Sequence, residues 1–341
     1  AYEIPCREWS SDVCSSDLTE TSAEGGRPGP TAPGFKAPDV LPELTRRAVA
    51  HIAARAPAAK SGHPFFLYLP LNAPHTPVVP SAKWKRPHPL GHYACFVEEV
   101  DDTVGQILDA LDTHGLAENT LLIVTSDNGY APYVGIVEGD DRRNGTGGVK
   151  ALEDKGHFPS ANYRGYKSEL WEGGHRVPFL VRWTGTVAPG SVCHGLTGLQ
   201  DLYATVAELT DADIPPDAAE DSLSFLPLLR GRPANRQSMI LHSVNGRFAI
   251  REGDWKLVAW RWSGGFSDRQ KKPDGTPVHE GLPDVQLYDL ANDPAESVNL
   301  AESEPATVKR LLALLEKNVA EGRTTPGPIQ ANDAPVKIIK P

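Results

Sequence analysis

The amino-acid sequence predicts an α/β fold: a mostly parallel sheet flanked by helices, with a smaller C-terminal antiparallel α+β domain. Three observations predict it. Up to about residue 235, amphipathic helical segments alternate with short, continuously apolar runs. Runs of that kind mark strands buried on both faces of a parallel sheet. Beyond residue 235 the pattern changes to short strands around a hairpin signal, closed by one amphipathic helix.

The elements follow in order. Residues 1 to about 35 have no helical or strand period and are rich in Ser, Gly and Pro. The chain has no initiator Met, its one Met being Met239, and no signal-peptide pattern. The segment reads as a disordered or non-native leader on a truncated protein. A helix is expected from APDVLPELTRRAVAHIAARA, with Leu41, Leu44, Ala48 and Ile52 on one face and Asp39 as its cap. HPFFLYLPL is an apolar run of strand length. YACFVEEVDDTVGQILDALDTHG is a second amphipathic helix, with Phe96, Val100, Val104, Ile107 and Leu111 on one face and Gly115 at its end. Paired acids Asp101 and Asp102 inside it make a solvated face. Leu121 to Ser126 is the next strand, VPFLVRW another, and DLYATVAEL a helix.

In the C-terminal part, GRFAIREGDWKLVAWRW reads as two strands around Glu252-Gly253-Asp254, and DVQLYDL as a further strand. ATVKRLLALLEKNVAEG is a helix with Val308, Leu311, Leu312, Leu315 and Val319 inward. The expected organisation is a leader at 1–35, a larger domain at 36–235, a small sheet-plus-helix domain at 236–322 and a loose tail at 323–341.

Bulk properties exclude some functions. The 341 residues carry a net charge of -10 with a pI near 5.6, which argues against a nucleic-acid binder. An anionic small substrate stays possible, because a few local cations can dominate one cleft. No apolar run approaches the ~18 residues of a membrane span. Cys6, Cys14, Cys95 and Cys193 form no CxxC pair and suggest neither a zinc site nor a disulfide framework. Asn144-Gly145-Thr146 is a lone glycosylation sequon.

Three stretches carry candidate chemistry. Asp127-Asn128-Gly129 stands where an apolar strand runs out, the place where open α/β sheets bind ligands. A carboxylate and an amide oxygen suit Ca²⁺ or Mg²⁺. The same residues are also good turn chemistry, and locally the turn is the simpler reading. In LNAPHTPVVP, His75 follows a strand between Pro74 and Pro77, as an acid, a ligand or a surface histidine. In NYRGYKSELWEGGHRVPFLV, Lys167 precedes Glu172-Gly173-Gly174 and can hold an anionic oxygen or simply be solvated. His175 and Arg176 read as a structural ion pair. Residues 130–160 form a polar, Gly-rich insertion, expected to be mobile.

Taken together, PFFLYLPLNAPHTP, DDTVGQILDALDTHGLAENTLLIVTSDNG, GHFPSANYRGYKSELWEGGHRVPFLVRW, GLQDLYATVAEL and LYDLANDPAESVNLA resemble the sulfatase family. This is the formylglycine-dependent branch of the alkaline phosphatase superfamily. The matching stretches keep the family's order over residues 36 to 320. The resemblance implies an alkaline-phosphatase-like core, here incomplete. It implies that Asp127 and Asn128 are two ligands of a divalent metal, usually calcium with magnesium possible. It implies that His75 binds sulfate and protonates the leaving alcohol, and that Lys167 contacts the sulfate. The expected partner is a small-molecule or saccharide sulfate ester, with no nucleic acid, in a periplasmic or secreted setting.

The departures are equally specific. The sequence contains no Cys/Ser-x-Pro/Ala-x-Arg motif, the family's source of formylglycine. The family's paired N-terminal aspartates and its Gly-Lys-x-His segment are absent too. The expectation is therefore a sulfatase whose present chain is inactive alone and binds calcium poorly. The competing readings are a phosphodiesterase or phosphonate hydrolase of the same superfamily, and a non-catalytic binding module.

Overall fold

A computed structural model describes residues 19–21, 29–32, 34–137, 145–233 and 236–339. Most of residues 1–35, with Cys6 and Cys14 among them, and the sequon's Asn144 lie outside the described residues. Within residues 1–35, β1 (Thr19–Thr21) pairs with β2 (Gly29–Thr31) in a short antiparallel ribbon. The chain divides into two compact units, residues 1–120 with 132–159, and residues 121–131 with 160–341.

In the first unit, α1 (Val40–Lys60) packs on α2 (Gly91–Thr113). Leu41, Ala48, Ile52 and Ala56 are buried on α1, while Asp39 sits at its N-cap without a side-chain cap bond. On α2 the buried row is Cys95, Glu99 and Thr103 beside Phe96 and Leu111. Val100, Val104 and Ile107, expected inward, are only half-buried. The reason is polar complementarity. Thr45 and Thr103 share a hydroxyl–hydroxyl bond of 2.9 Å, and Glu99 Oε2 accepts the Ser81 N–H at 2.9 Å. Small hydroxyls let the helices approach, and the buried carboxylate is satisfied by backbone. Asp101 is exposed, and Asp102 pairs with Lys83 at 3.3 Å.

The described ends of the 130–160 insertion are held, contrary to the mobile reading. Ile136 and Thr146 exchange backbone bonds of 3.2 and 2.9 Å, and α3 (Gly148–Glu153) follows. His92 N–H donates to Val137 O at 2.7 Å, so the insertion abuts the first turn of α2. Residues 138–144 lie outside the described residues.

The predicted parallel sheet needs correction. In the second unit β3 (Leu122–Thr125) pairs with β4 (Phe179–Arg182), and the pairing is antiparallel, Leu122 opposite Arg182 and Thr125 opposite Phe179. No parallel strand pair occurs among the described strands. The HPFFLYLPL run, in the first unit, forms no strand. Its side chains alternate, with Phe65, Leu67 and Leu69 half-buried and Phe66 and Tyr68 65% and 73% exposed. An apolar run encodes burial and extension. It does not encode the direction of its neighbour, nor whether a neighbour is within reach.

The rest of the second unit contains α4 (Glu172–His175), α5 (Asp201–Thr210) and α6 (Leu226–Leu229). A four-stranded antiparallel sheet follows, β5 (Ser238–His242), β6 (Phe248–Glu252), β7 (Trp255–Val258) and β8 (Gln286–Asp289), in that order. The β6–β7 hairpin turns at Gly253, whose φ of 57° suits glycine. Both sheet faces are covered. Ala249, Val258 and Tyr288 pack with Leu170 and Trp171 on one side. Ile250, Leu257 and Leu287 pack with Leu311 and Leu315 of α7 (Pro305–Glu321) on the other. The tail expected to be loose is held at its start: Arg323 donates to the carbonyls of Pro216, Thr325, Pro326 and Pro328. A guanidinium has enough donors in one plane to gather such a set.

Candidate active site

Asp127 and Asn128 lie in a bend one residue, Ser126, beyond the end of β3. Asp127 is exposed and Asn128 half-buried. Asn128 Nδ2 donates to Gly129 O at 3.0 Å, and Ser126 Oγ donates to Asn128 O at 3.1 Å. These bonds fix the bend and use the amide nitrogen, so the amide oxygen is the donor atom suited to a cation.

Gly129 is required by proximity. Its N–H donates to Gly174 O at 3.1 Å. A Cβ there would lie 1.8 Å from Gly173 O. Gly173 is pressed equally, since a Cβ on it would lie 2.1 Å from Gly165 O. The strand end and the glycine turn of α4 are thus in backbone contact.

Lys167 belongs to the same unit and is half-buried. Its N–H donates to Tyr130 O at 2.8 Å, tying its loop to the segment after Asn128. The buried Glu169 anchors that loop by accepting from Tyr166 N–H at 3.1 Å and Ser267 N–H at 2.8 Å. Burial holds its carboxyl above the usual range, against the bonds from Ser267. The structure therefore brings Asp127, Asn128 and Lys167 onto adjoining backbone. His75 lies in the other unit, exposed, in the loop after HPFFLYLPL. With a proton on Nδ1 its ring donates to Thr76 O at 2.7 Å, which orients it.

Behind the glycine turn lies a buried charge cluster. Lys256 on β7 is fully buried and touches Glu172 Oε1 and Glu296 Oε1, each at 3.0 Å. The contact to Glu296 is a close ion pair between fully buried groups. Glu172 N–H donates to Glu296 Oε2 at 2.6 Å. Arg251 and Arg176 reach the second oxygen of Glu172 at 3.4 and 3.5 Å. Burial pushes the Glu172 carboxyl up, but Lys256 and the two arginines outweigh it and leave it low. For Glu296 burial wins, and its carboxyl stays high despite Lys256. Arg164 stacks 3.7 Å from the Trp171 ring and donates to Glu296 O at 2.9 Å.

His175 is not half of an ion pair. Its Nε2 is buried without a partner, and burial, with Lys256 nearby, brings its pKa down to about 4. Arg176 does pair, with Glu172, and lies over the Tyr163 ring. The cluster around Lys256 escaped the sequence reading. Its signal was a lysine one residue from two inward apolar positions in WKLVAW.

The donor chemistry of Asp127 and Asn128, two hard oxygens at a fixed bend, fits a calcium-like ion. The count falls short, because such an ion takes 6–8 oxygens. Among the described residues no group of three or more His, Cys, Asp or Glu converges on one point. No helix among them is long and apolar enough to cross a membrane.

Comparison with known proteins gives this arrangement a family. The sulfatase family profile matches residues 34–212, just over half of the chain. An N-acetylgalactosamine-6-O-sulfatase of Bacteroides thetaiotaomicron is 33% identical over 284 residues, 83% of this chain and 51% of that protein. A steryl-sulfatase of Rattus norvegicus is 32% identical over 266 residues, 71% of this chain and 42% of that protein. One solved structure, described under the metabolism of multiple glycosaminoglycans by Bacteroides thetaiotaomicron, superposes with a TM-score of 0.69 and 32% identity. That superposition covers 83% of this chain and 55% of the other. The chain belongs to the sulfatase family. It spans about half the length of the curated relatives it matches.

Proposed function

We propose that this chain contributes the leaving-group side and half of the metal site to the hydrolysis of a sulfate monoester. The observation that carries this reading is the backbone union of the Asp127–Gly129 bend with the Lys167 loop and the glycine turn of α4. That union holds an oxygen donor pair and a cationic side chain on adjoining backbone, in a chain of the sulfatase family.

The roles follow from charge. A sulfate ester needs positive charge along its non-bridging oxygens and a proton for the departing oxygen. Lys167 supplies the charge as an ammonium donor. His75, oriented through Thr76 O, supplies the proton from Nε2 to the leaving alcohol as the S–O bond breaks. Asp127 and Asn128 would hold calcium or magnesium, which would neutralise further charge on the sulfate oxygens. The nucleophile, a formylglycine, and the remaining metal ligands come from outside this chain, so the chain alone does not turn over. A sulfated small molecule or saccharide is the substrate class, met in the periplasm or outside the cell.

The test is hydrolysis of 4-nitrophenyl sulfate with added calcium. The present chain is expected to give no rate above buffer. The same reading frame extended upstream to a Cys/Ser-x-Pro/Ala-x-Arg motif is expected to turn over, and His75→Ala in it to lose about 10²–10⁴-fold. Full-rate hydrolysis by the present chain, or an extended protein that cleaves phosphodiesters and not sulfates, would overturn the proposal.

A further inference from the structure

We infer that Lys256 is a positioning residue for the candidate site, acting from the C-terminal sheet through Glu172 and Glu296 on the turn that holds Gly129. The inference rests on the reading of Asp127 and Asn128 as site residues. It adds a residue that reading does not use, some distance along the chain from any of them.

Two routes of contact run from Lys256 to Gly129. The first is direct. Lys256 grips the Glu172 carboxylate at 3.0 Å, Glu172 opens α4, and Gly174 within that turn accepts the Gly129 N–H at 3.1 Å. The second passes through Glu296. Its Oε2 takes the Glu172 N–H, and its backbone O takes Arg164 at 2.9 Å. Arg164 O in turn accepts the Gly173 N–H at 2.7 Å. Both routes end on the glycine pair, and neither leaves the second unit.

Three features separate this arrangement from a plain core contact. Lys256 and Glu296 are fully buried, where an apolar trio of similar volume is often at least as stable. What the charged trio adds is direction: a bond to one backbone N–H and a fixed place for one carboxylate. Glu296 also sits at a φ of 52°, a strained conformation for a residue with a side chain, which persists only where its surroundings impose it. Finally, the turn has no slack. Cβ atoms on Gly129, Gly173 and Gly174 would meet backbone oxygens at 1.8, 2.1 and 2.3 Å. Movement at Glu172 is therefore passed on to the Asp127–Asn128 bend.

The test is hydrogen–deuterium exchange on the full chain, read by peptide mass spectrometry. Lys256→Met keeps the stem and removes the charge. Peptides spanning 121–131 and 162–176 are expected to exchange about tenfold or more faster, measured relative to the peptide of α7. Leu315→Ala, a core control on the other sheet face, is expected to accelerate α7 first. Glu296→Gln keeps the shape and an acceptor, and is expected to loosen the same two peptides by a smaller factor. It decides the matter if Lys256→Met does not fold. Equal acceleration of all peptides, or unchanged exchange at 121–131, would overturn the inference. The assay needs neither metal nor turnover. Failure of the sulfatase reading would show instead in the hydrolysis assay, with the exchange pattern intact.

Discussion

Replacing Gly129 with alanine adds one carbon at the point where the strand end meets the glycine turn. That carbon would lie 1.8 Å from Gly173 O, 2.9 Å from Gly173 C and 3.1 Å from Gly174 Cα. All three are backbone atoms, so no flexible side chain can swing away. The two segments must separate by about 1 Å or more, in an interior packed like a crystal. Overpacking of this kind costs about 1–3 kcal/mol. Separation also strains or breaks the Gly129 N–H bond to Gly174 O, adding about 1 kcal/mol. The sum is about 2–4 kcal/mol. For a unit of this size each kcal/mol moves the melting temperature by about 2–4 °C, so a fall of about 5–15 °C is expected. Circular dichroism melts measure it. Gly105→Ala on α2 is the control, since its Cβ meets nothing within 4 Å and its φ is negative. That change is expected to stabilise by about 0.5–1 kcal/mol. A Gly129→Ala melt within about 1 °C of the parent would refute the reasoning.

Arg236→Met is expected to destabilise by about 3–5 kcal/mol in urea denaturation, because it strands the buried Asp201 carboxylate that Arg236 Nε holds at 3.1 Å. His175 gives a pH dependence. Its pKa is brought down to about 4 in the folded chain, so the unfolded chain binds more protons between about 6.5 and 4. Its contribution is present above pH 6.5 and is lost as pH falls through that window; His175→Gln is expected to flatten the slope of melting temperature against pH there. Calcium at about 1 mM is expected to raise the melting temperature by less than about 1 °C, since two oxygen ligands hold such an ion weakly. A calcium shift above about 5 °C would show that the ligand set is complete.

Much of this was legible in the sequence because it rests on local rules. The spacing of Leu41, Ala48 and Ile52 marks α1, and Glu252-Gly253-Asp254 marks the hairpin. The end of β3 at Thr125, just before Asp127, follows from an apolar run meeting an acid, an amide and a glycine. What was not legible depends on partners distant in sequence. LLIVT has one apolar pattern whether its neighbour runs with it or against it, and β4 runs against it. Cys95, Glu99 and Thr103 face inward on α2 because Thr45 and the Ser81 N–H are there to receive them. No spacing rule foretells that match.

Lys256 was hidden for a related reason. A lysine in WKLVAW reads as the outward member of an alternating strand, yet β7 is covered on both faces. On a sheet with no solvated face, each polar residue must find its partner inside. Lys256 finds Glu172 and Glu296, which stand well before and well after it in the chain. Those partners sit at the glycine turn and at a strained backbone position, where bonds must be directional to hold. The same interior therefore satisfies its buried charge and stiffens the bend beyond β3. This makes the C-terminal sheet part of the candidate site's support, although it contributes none of the side chains assigned to the chemistry.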